Sequence, residues 1–158
     1  MNAKTKQSRY ERIFTQISEL MTKTTDPFAR MATISAILHH KFDYYFWTGF
    51  YRLIEGELTV VSYQGPVACQ VLAKDVGVCW AAINQQKILV VKDVHEFPGH
   101  IACDSRSNSE VVIPVRDQSG NIVAVLDVDS KELNSFDKID AENLENLVDL
   151  LKSEAKVL

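Results

Sequence analysis

The sequence contains no apolar run that approaches the ~18 residues of a membrane span, and no apolar stretch follows the positively charged residues 1–9 as in a secretory signal. It also has no stripe of Lys and Arg, and its net charge is −4, so the electrostatic signature of nucleic-acid binding is missing. We therefore expect a cytoplasmic protein that binds neither membranes nor nucleic acid.

Cysteine is also scarce, because the chain has only Cys69, Cys79 and Cys103. An odd number of cysteines in a reducing compartment is typical of reactive, metal-bound or buried thiols and argues against a structural disulfide framework. Such a framework is not needed, since a domain of 158 residues buries roughly 68–70% of its unfolded surface. We expect residues 1–158 to form one domain.

Hydrophobic periodicity predicts an α+β fold, in which an antiparallel sheet packs against helices at both ends of the chain. A first helix carries the apolar stripe Tyr10, Ile13, Phe14, Ile17, Leu20 and Met21, and a second begins at Pro27 with Asp26 as its N-cap. The expected strands are residues 44–54, 58–63, 88–91 as a buried strand, 111–115 and 122–128, with a short helix at 77–86. A closing helix from Asp137 presents Leu144, Leu147, Val148 and Leu151 on one face.

The last two strands predict a cluster of carboxylates. A period of two places Val123, Val125, Asp127 and Asp129 on one face of the last strand, and Ile122, Ala124, Leu126 and Val128 on the other. If the turn spans residues 117–120, Glu110 lies opposite Asp127, with Cβ atoms roughly 4.5–5.5 Å apart. A ligand with an ammonium group would relieve the repulsion, at about 4 kcal/mol per contact before desolvation. In the alternative, Asp129 begins a loop and Glu110 lies in solvent, because a register slip of one residue removes the convergence.

Each cysteine can be functional or simply a small buried apolar residue. Cys103 follows a Pro-Gly turn at residues 98–99, so we expect its thiol to be reachable. Cys79 lies near a predicted helix start, where the helix N-terminus could lower the thiol pKa, and it rivals Cys103 as a nucleophile. Cys69 follows a loop-like stretch from which a resolving thiol could move toward its partner.

Metal-ligand spacing is weak. His100 and Cys103 have the spacing of half a zinc site, but no second pair matches it, since Cys69 and Cys79 are too far apart. We therefore predict no metal site. His100 could promote ionisation of the Cys103 thiol, although a turn histidine exposed to solvent is the commoner outcome.

Eight segments in order resemble those of the GAF-domain free methionine-(R)-sulfoxide reductases: residues 47–51, 63–65, 68–69, 77–79, 93–94, 97–104, 107–110 and 125–130. The resemblance implies a GAF fold, commonly a homodimer, without a cofactor. It also implies reduction of free L-methionine (R)-sulfoxide to methionine, with thioredoxin as the usual reductant. By motif, Cys103 matches the nucleophile, Cys69 the resolving thiol and Cys79 a third cysteine. The substrate pocket would comprise the acidic residues Glu110, Asp127 and Asp129 and the aromatic residues Trp47 and Tyr51.

Three positions depart from the family pattern. Trp80 follows Cys79 where the family usually has glycine, Phe46 replaces an asparagine, and residues 66–67 are Pro-Val in place of Lys-Pro. The competing hypothesis is a non-catalytic GAF-type module that senses a small molecule or redox state, since fold alone does not fix function. The lack of an attached output domain and the retention of the matched cysteines and acids favour the enzyme.

Overall fold

The computed structural model describes residues 1–100 and 103–152. The helices are α1 (Ala3–Met21), α2 (Pro27–Lys41), α3 (Gly77–Gln85) and α4 (Lys138–Asp149), with short 3-10 helices at Val94–Glu96 and Leu150–Lys152. The strands are β1 (Trp47–Ile54), β2 (Glu57–Gln64), β3 (Val71–Leu72), β4 (Leu89–Val91), β5 (Ser109–Arg116) and β6 (Ile122–Ser130). Within these described ranges, no helix is long and apolar enough to cross a membrane.

The six strands form one antiparallel sheet in the order β3-β2-β1-β6-β5-β4. The larger hydrophobic core lies between one face of the sheet and helices α1, α2 and α4, and a smaller core lies between the other face and α3. The predicted α+β class and antiparallel sheet are therefore confirmed. The prediction of a buried strand at 88–91 is wrong, because β4 lies at the sheet edge and exposes Val90.

Local capping signals set the helix starts as predicted. Asp26 accepts a hydrogen bond from the backbone N–H of Ala29 at 2.8 Å, and Pro27 follows as the first helical residue of α2. Asp137 caps α4 through a reciprocal capping box with Asp140. Strand β1 begins at Trp47, three residues later than predicted, since a turn precedes it.

The buried stripe of α1 is narrower than predicted and ends in a polar group. Phe14 and Leu20 are 38% and 39% exposed, because α1 contacts its neighbours along a single row of residues. Lys6 continues that row and is buried, and its Nζ donates to Asp140 at 2.6 Å. Tyr10 also donates to Asp140, at 2.8 Å. A buried ion pair therefore ties α1 to α4.

The register of the β5–β6 hairpin differs from the prediction by two residues. Glu110 lies opposite Asp129, not opposite Asp127. One residue of the difference comes from a shorter loop at 118–120, and the second from Val123, the extra residue of a β-bulge. Val123 consequently packs against the larger core and leaves the predicted carboxylate face. A register shift of two residues leaves the remaining residues on the faces predicted for them. The acidic side chains therefore still share one side of the sheet.

Candidate active site

Three central strands place the acidic residues side by side. Trp47 on β1 pairs with Asp129 on β6, and Asp129 pairs in turn with Glu110 on β5. Asp127 lies two residues before Asp129 and therefore projects from the same face, opposite Gly49 on β1. The alternative in which Asp129 begins a loop and Glu110 lies in solvent is wrong, since both residues are within strands and Glu110 is buried.

A pocket opens between this face of the sheet and α3. Its empty space measures about 630 Å³, with open solvent at its mouth included. It is lined by residues that the sequence singled out, among them Trp47, Glu110, Asp127, Asp129 and Cys103. None of the described lining residues is Lys or Arg, so no ammonium or guanidinium group of the lining neutralises Glu110, Asp127 and Asp129.

The carboxyl groups do not all ionise alike. Glu110 and Asp127 are only 5% and 7% exposed, and burial raises the pKa of both groups and of the partly buried Asp129. The neighbouring acids raise the pKa of Glu110 and Asp129 further. Hydrogen bonds from Glu110 and from the Cys79 thiol limit the rise for Asp127, whose pKa is about 6. Burial therefore favours the protonated form of Glu110 and Asp129, whereas Asp127 ionises more readily.

Asp127 also has an unused acceptor. Its Oδ1 atom is buried and has no hydrogen-bond partner among the described residues. A buried, ionised oxygen without a partner costs free energy unless a ligand supplies a donor or a positive charge. The pocket is therefore suited to a cationic group.

Stacked aromatic rings form one wall of the pocket. The ring centroids of Trp47 and Tyr51 are 5.6 Å apart, and those of Trp47 and Tyr63 are 5.3 Å apart. Trp47 donates its indole N–H to the Pro66 carbonyl at 3.2 Å, and Tyr51 donates its hydroxyl to the Cys69 carbonyl at 3.4 Å. These contacts fix the orientation of both predicted aromatic residues.

Two glycines leave the space that the indole occupies. A Cβ atom on Gly49 would lie 2.6 Å from Cη2 of Trp47, and one on Gly65 would lie 2.7 Å from the Phe46 carbonyl oxygen. Gly65 also has a φ of +117°, which L side chains rarely adopt. Glycine is therefore required at both positions for the close approach of the chain to Trp47.

Cys69 and Cys103 form a disulfide bond, with their Cα atoms 5.6 Å apart. The bond joins the loop after β2 to the segment before β5, which are separated by 34 residues in sequence. Cys103 is exposed and lines the pocket, as expected from the Pro-Gly turn before it. The described form is thus the oxidised state of this cysteine pair.

Cys79 differs from the other two cysteines. It is free, only 4% exposed and the third residue of α3. The expected lowering of its pKa by the helix N-terminus is wrong, because burial and the carboxylates of Asp127, Glu110 and Asp129 raise the pKa well above its usual range. A helix terminus contributes only about 0.3–1 kcal/mol. Cys79 is therefore a hydrogen-bond donor to Asp127 rather than a rival nucleophile.

The bulky neighbour Trp80 does not block this thiol. Its indole N–H donates to the carbonyl of Leu72 at 3.4 Å, and Trp80 is buried in the smaller core without lining the pocket. The departure from glycine at this position therefore leaves the pocket open.

The pocket is also lined by Phe46, which departs from the family pattern and was not predicted as a site residue. Phe46 lies between two cations, with the Arg106 guanidinium 4.9 Å and the Lys131 ammonium 4.6 Å from its ring centroid. Arg106 also donates to both carboxylate oxygens of Asp104 and lowers the pKa of that group to about 2. Phe46 is far from Arg106 and Lys131 in the sequence, so no local sequence pattern indicated these cation–π contacts.

Two further lining residues modify the prediction. Ser107 forms a hydrogen bond with Asp129, which limits the rise of the Asp129 pKa. His100 is half-buried rather than solvent-exposed, and burial lowers its pKa, so its ring is neutral at pH 7. A neutral imidazole adds no positive charge to the pocket.

Comparison with known proteins agrees with this architecture. The GAF domain family model matches residues 12–153. GAF domain-containing protein A of Dictyostelium discoideum is 47% identical over 147 residues, or 92% of this chain and 92% of that protein. The free methionine-R-sulfoxide reductase of Escherichia coli is 39% identical over 131 residues, or 82% of this chain and 78% of that protein.

Among solved structures, the X-ray structure of free methionine-R-sulfoxide reductase from Neisseria meningitidis in complex with its substrate has a TM-score of 0.90. It is 36% identical and covers 98% of this chain and 91% of that chain. The fold, the acidic pocket and these similarities agree. The chain belongs to the GAF-domain free methionine-(R)-sulfoxide reductase family.

Proposed function

We propose that the protein reduces free L-methionine (R)-sulfoxide to methionine, with Cys103 as the nucleophile. The observation that carries the proposal is a disulfide-bonded pair of cysteines, Cys69 and Cys103, at a pocket lined by four carboxyl groups and by no described Lys or Arg. A thiol that can be oxidised and a site for an ammonium group are the two requirements for reducing a free amino acid in this way.

Substrate recognition follows from charge and shape. The ionised Asp127 would accept the α-ammonium group through its buried, unpartnered Oδ1 atom. A blocked amine has no charge to offer and would leave the carboxylate desolvated and unpaired, which is the costly outcome. The S-methyl group would pack against the stacked rings of Trp47 and Tyr51.

The chemistry transfers two electrons from a thiol to the sulfoxide. The Cys103 thiolate attacks the sulfoxide sulfur while a protonated carboxyl group, Glu110 or Asp129, donates its proton to the sulfoxide oxygen. The sulfoxide oxygen is transferred to the Cys103 sulfur, and the transient bond between the two sulfur atoms breaks. Methionine then leaves, and Cys103 remains as a sulfenic acid. The raised pKa of both acids favours the protonated form that a proton donor requires.

Cys69 would close the cycle. Its thiol attacks the sulfenic sulfur of Cys103, and water leaves as the disulfide forms. An external dithiol such as thioredoxin then reduces that bond by exchange, and the exposed position of Cys103 gives it access. Thioredoxin itself, the homodimer and the cytoplasmic location stay predictions.

The decisive experiment separates the substrate classes. The protein is incubated with dithiothreitol and the resolved R and S forms of free or N-acetylated methionine sulfoxide, and methionine release is followed. We expect turnover with the free R form alone. Equal rates on the blocked amine would contradict the role of the carboxylates, and binding without turnover would favour a sensory module.

Cysteine variants test the division of roles. Cys103→Ser should abolish methionine release, because no other described thiol is exposed at the pocket. Cys69→Ser should release about one methionine per chain and then stall, since the sulfenic acid cannot be resolved. Cys79→Ser serves as the matched control and should retain the first turnover. Loss of that turnover in Cys79→Ser alone would make the assignment wrong.

A further inference from the structure

Three potential metal ligands meet inside the pocket. The Sγ atom of Cys79 and one carboxylate oxygen each from Glu110 and Asp127 all lie within 4.8 Å of one another, and all three residues are buried. They come from α3, β5 and β6, so the sheet and the helix packed on it hold the group together. Spacing in the sequence could not reveal this set.

We propose that Cys79, Glu110 and Asp127 bind one thiophilic divalent cation of the Zn²⁺ class. A second observation points independently to a ligand here, since Asp127 is 7% exposed and its Oδ1 atom has no hydrogen-bond partner among the described residues. No described Lys or Arg lines the pocket to balance the carboxylates. A divalent cation supplies the missing positive charge.

The donor set and its spacing select the kind of metal. Sulfur with carboxylate oxygens suits Zn²⁺, whereas Mg²⁺ and Ca²⁺ prefer oxygen ligands alone. Ligands of one tetrahedral Zn²⁺ lie about 3.5 Å apart, given bonds of about 2.0–2.3 Å, so the side chains need to approach by only about 1 Å. All three residues line the pocket, so water or a substrate group there could complete the coordination.

Such an ion would occupy the position that the proposed function assigns to the substrate ammonium. Asp127 cannot serve both at once, so the cation and the free amino acid should exclude each other. This consequence rests on the proposed function, whereas the metal site itself does not. The protein would therefore be inhibited by thiophilic cations in competition with its amino acid substrate.

The oxidised protein gives a test that needs no activity. Its disulfide occupies Cys69 and Cys103, so Cys79 is the only thiol left among the three cysteines of the chain. Cd²⁺ is the optical probe, because thiolate-to-Cd²⁺ charge transfer absorbs in the ultraviolet. We expect a band that saturates at one ion per chain and is displaced by Zn²⁺. Absence of the band in the oxidised wild-type protein would overturn the proposal.

Variants assign the ligands. Cys79→Ala should abolish the band, and Glu110→Gln and Asp127→Asn should each weaken Cd²⁺ binding at least about tenfold. Even a group that only hydrogen-bonds to a metal ligand is worth about 10- to 100-fold in affinity. The matched control is Glu142→Gln on the exposed face of α4, which should bind as the wild type does. Circular dichroism establishes that each variant is folded. A Cys79→Ala protein that keeps the band, or Glu110→Gln and Asp127→Asn variants that bind Cd²⁺ as the control does, overturns the assignment.

A competition experiment separates this proposal from the proposed function. Free L-methionine (R)-sulfoxide is added to the Cd²⁺-loaded oxidised protein while the band is monitored. Displacement of Cd²⁺ supports a shared site. A saturable band that the amino acid never displaces, in a protein that turns over the sulfoxide, refutes the shared site and leaves the enzyme intact. A saturable band in a protein without any turnover supports the metal site and contradicts the proposed function.

Discussion

Replacement of Asp127 by asparagine tests whether its negative charge is needed for substrate recognition, with almost no change in the shape of the side chain. The substitution removes the buried pocket carboxylate whose Oδ1 atom has no partner among the described residues, and it keeps an acceptor for the Cys79 thiol. A charge-assisted hydrogen bond is worth about 1.5–3 kcal/mol net. Each 1.4 kcal/mol is about a factor of ten, so kcat/KM for free L-methionine (R)-sulfoxide should fall about 10- to 150-fold.

The same substitution should make the protein more stable. The pKa of Asp127 rises from 3.8 to about 6 on folding, so the folded chain binds more protons than the unfolded chain between these values. Stability therefore falls as pH rises through this window and stays lower above it. Removal of the charge should raise the free energy of unfolding at pH 7 by up to about 3 kcal/mol. Loss of activity with a gain in stability distinguishes a charge effect from misfolding.

The assay compares wild type and Asp127→Asn by steady-state kinetics from pH 5 to 8 and by urea unfolding at pH 5 and 7. In the wild type, kcat/KM should decline below about pH 6 as Asp127 is protonated, and this limb should vanish in the variant. Asp93→Asn is the matched control, since that carboxylate pairs with His95 outside the pocket. A variant that keeps wild-type kcat/KM, or that loses stability at pH 7, would refute the reasoning.

Two further substitutions test packing, one beside the site and one at the contact between α1 and α4. Gly49→Ala adds a methyl group 2.6 Å from the Trp47 ring, and overpacking of this kind costs about 1–3 kcal/mol. Calorimetry should show a lower Tm, and KM for the sulfoxide should rise as the ring is displaced; an unchanged KM would mean that Trp47 does not contact substrate. Asp140→Ala leaves the buried Lys6 ammonium without its closest partner and should cost about 3–5 kcal/mol in urea unfolding, with kcat unchanged under native conditions. A cost below about 1 kcal/mol would show that the pair is not effectively buried.

The acidic face was predictable because it depends only on the period of a strand. Asp127 and Asp129 are two residues apart, so they share a face in any register. The predicted pairing of Glu110 with Asp127 is wrong by two residues in register, since Glu110 pairs with Asp129. This even error left Glu110 on the predicted face of the sheet. A bulge at Val123 has no clear sequence signal, so this part of the error was not avoidable from the pattern.

The features that were not predicted depend on contacts between residues that are far apart in the sequence. The Cys79 pKa depends on carboxylates from two strands, and a local argument from the helix start considered only the weaker influence. Lys6 is buried because its partners lie on α4, near the other end of the chain. The exposure of Val90 depends on strand order, which periodicity does not contain. Such features become visible only when the fold is assembled.

The bond between Cys69 and Cys103 has a consequence for when the protein can work. Under the proposed cycle, a molecule in this form remains idle in the presence of sulfoxide until an external reductant opens the disulfide, because each sulfur is bonded to the other. The idle fraction then depends on how fast such donors arrive, however plentiful the sulfoxide is. The rate of methionine formation would then depend on the supply of reductant in the compartment as much as on the concentration of methionine sulfoxide.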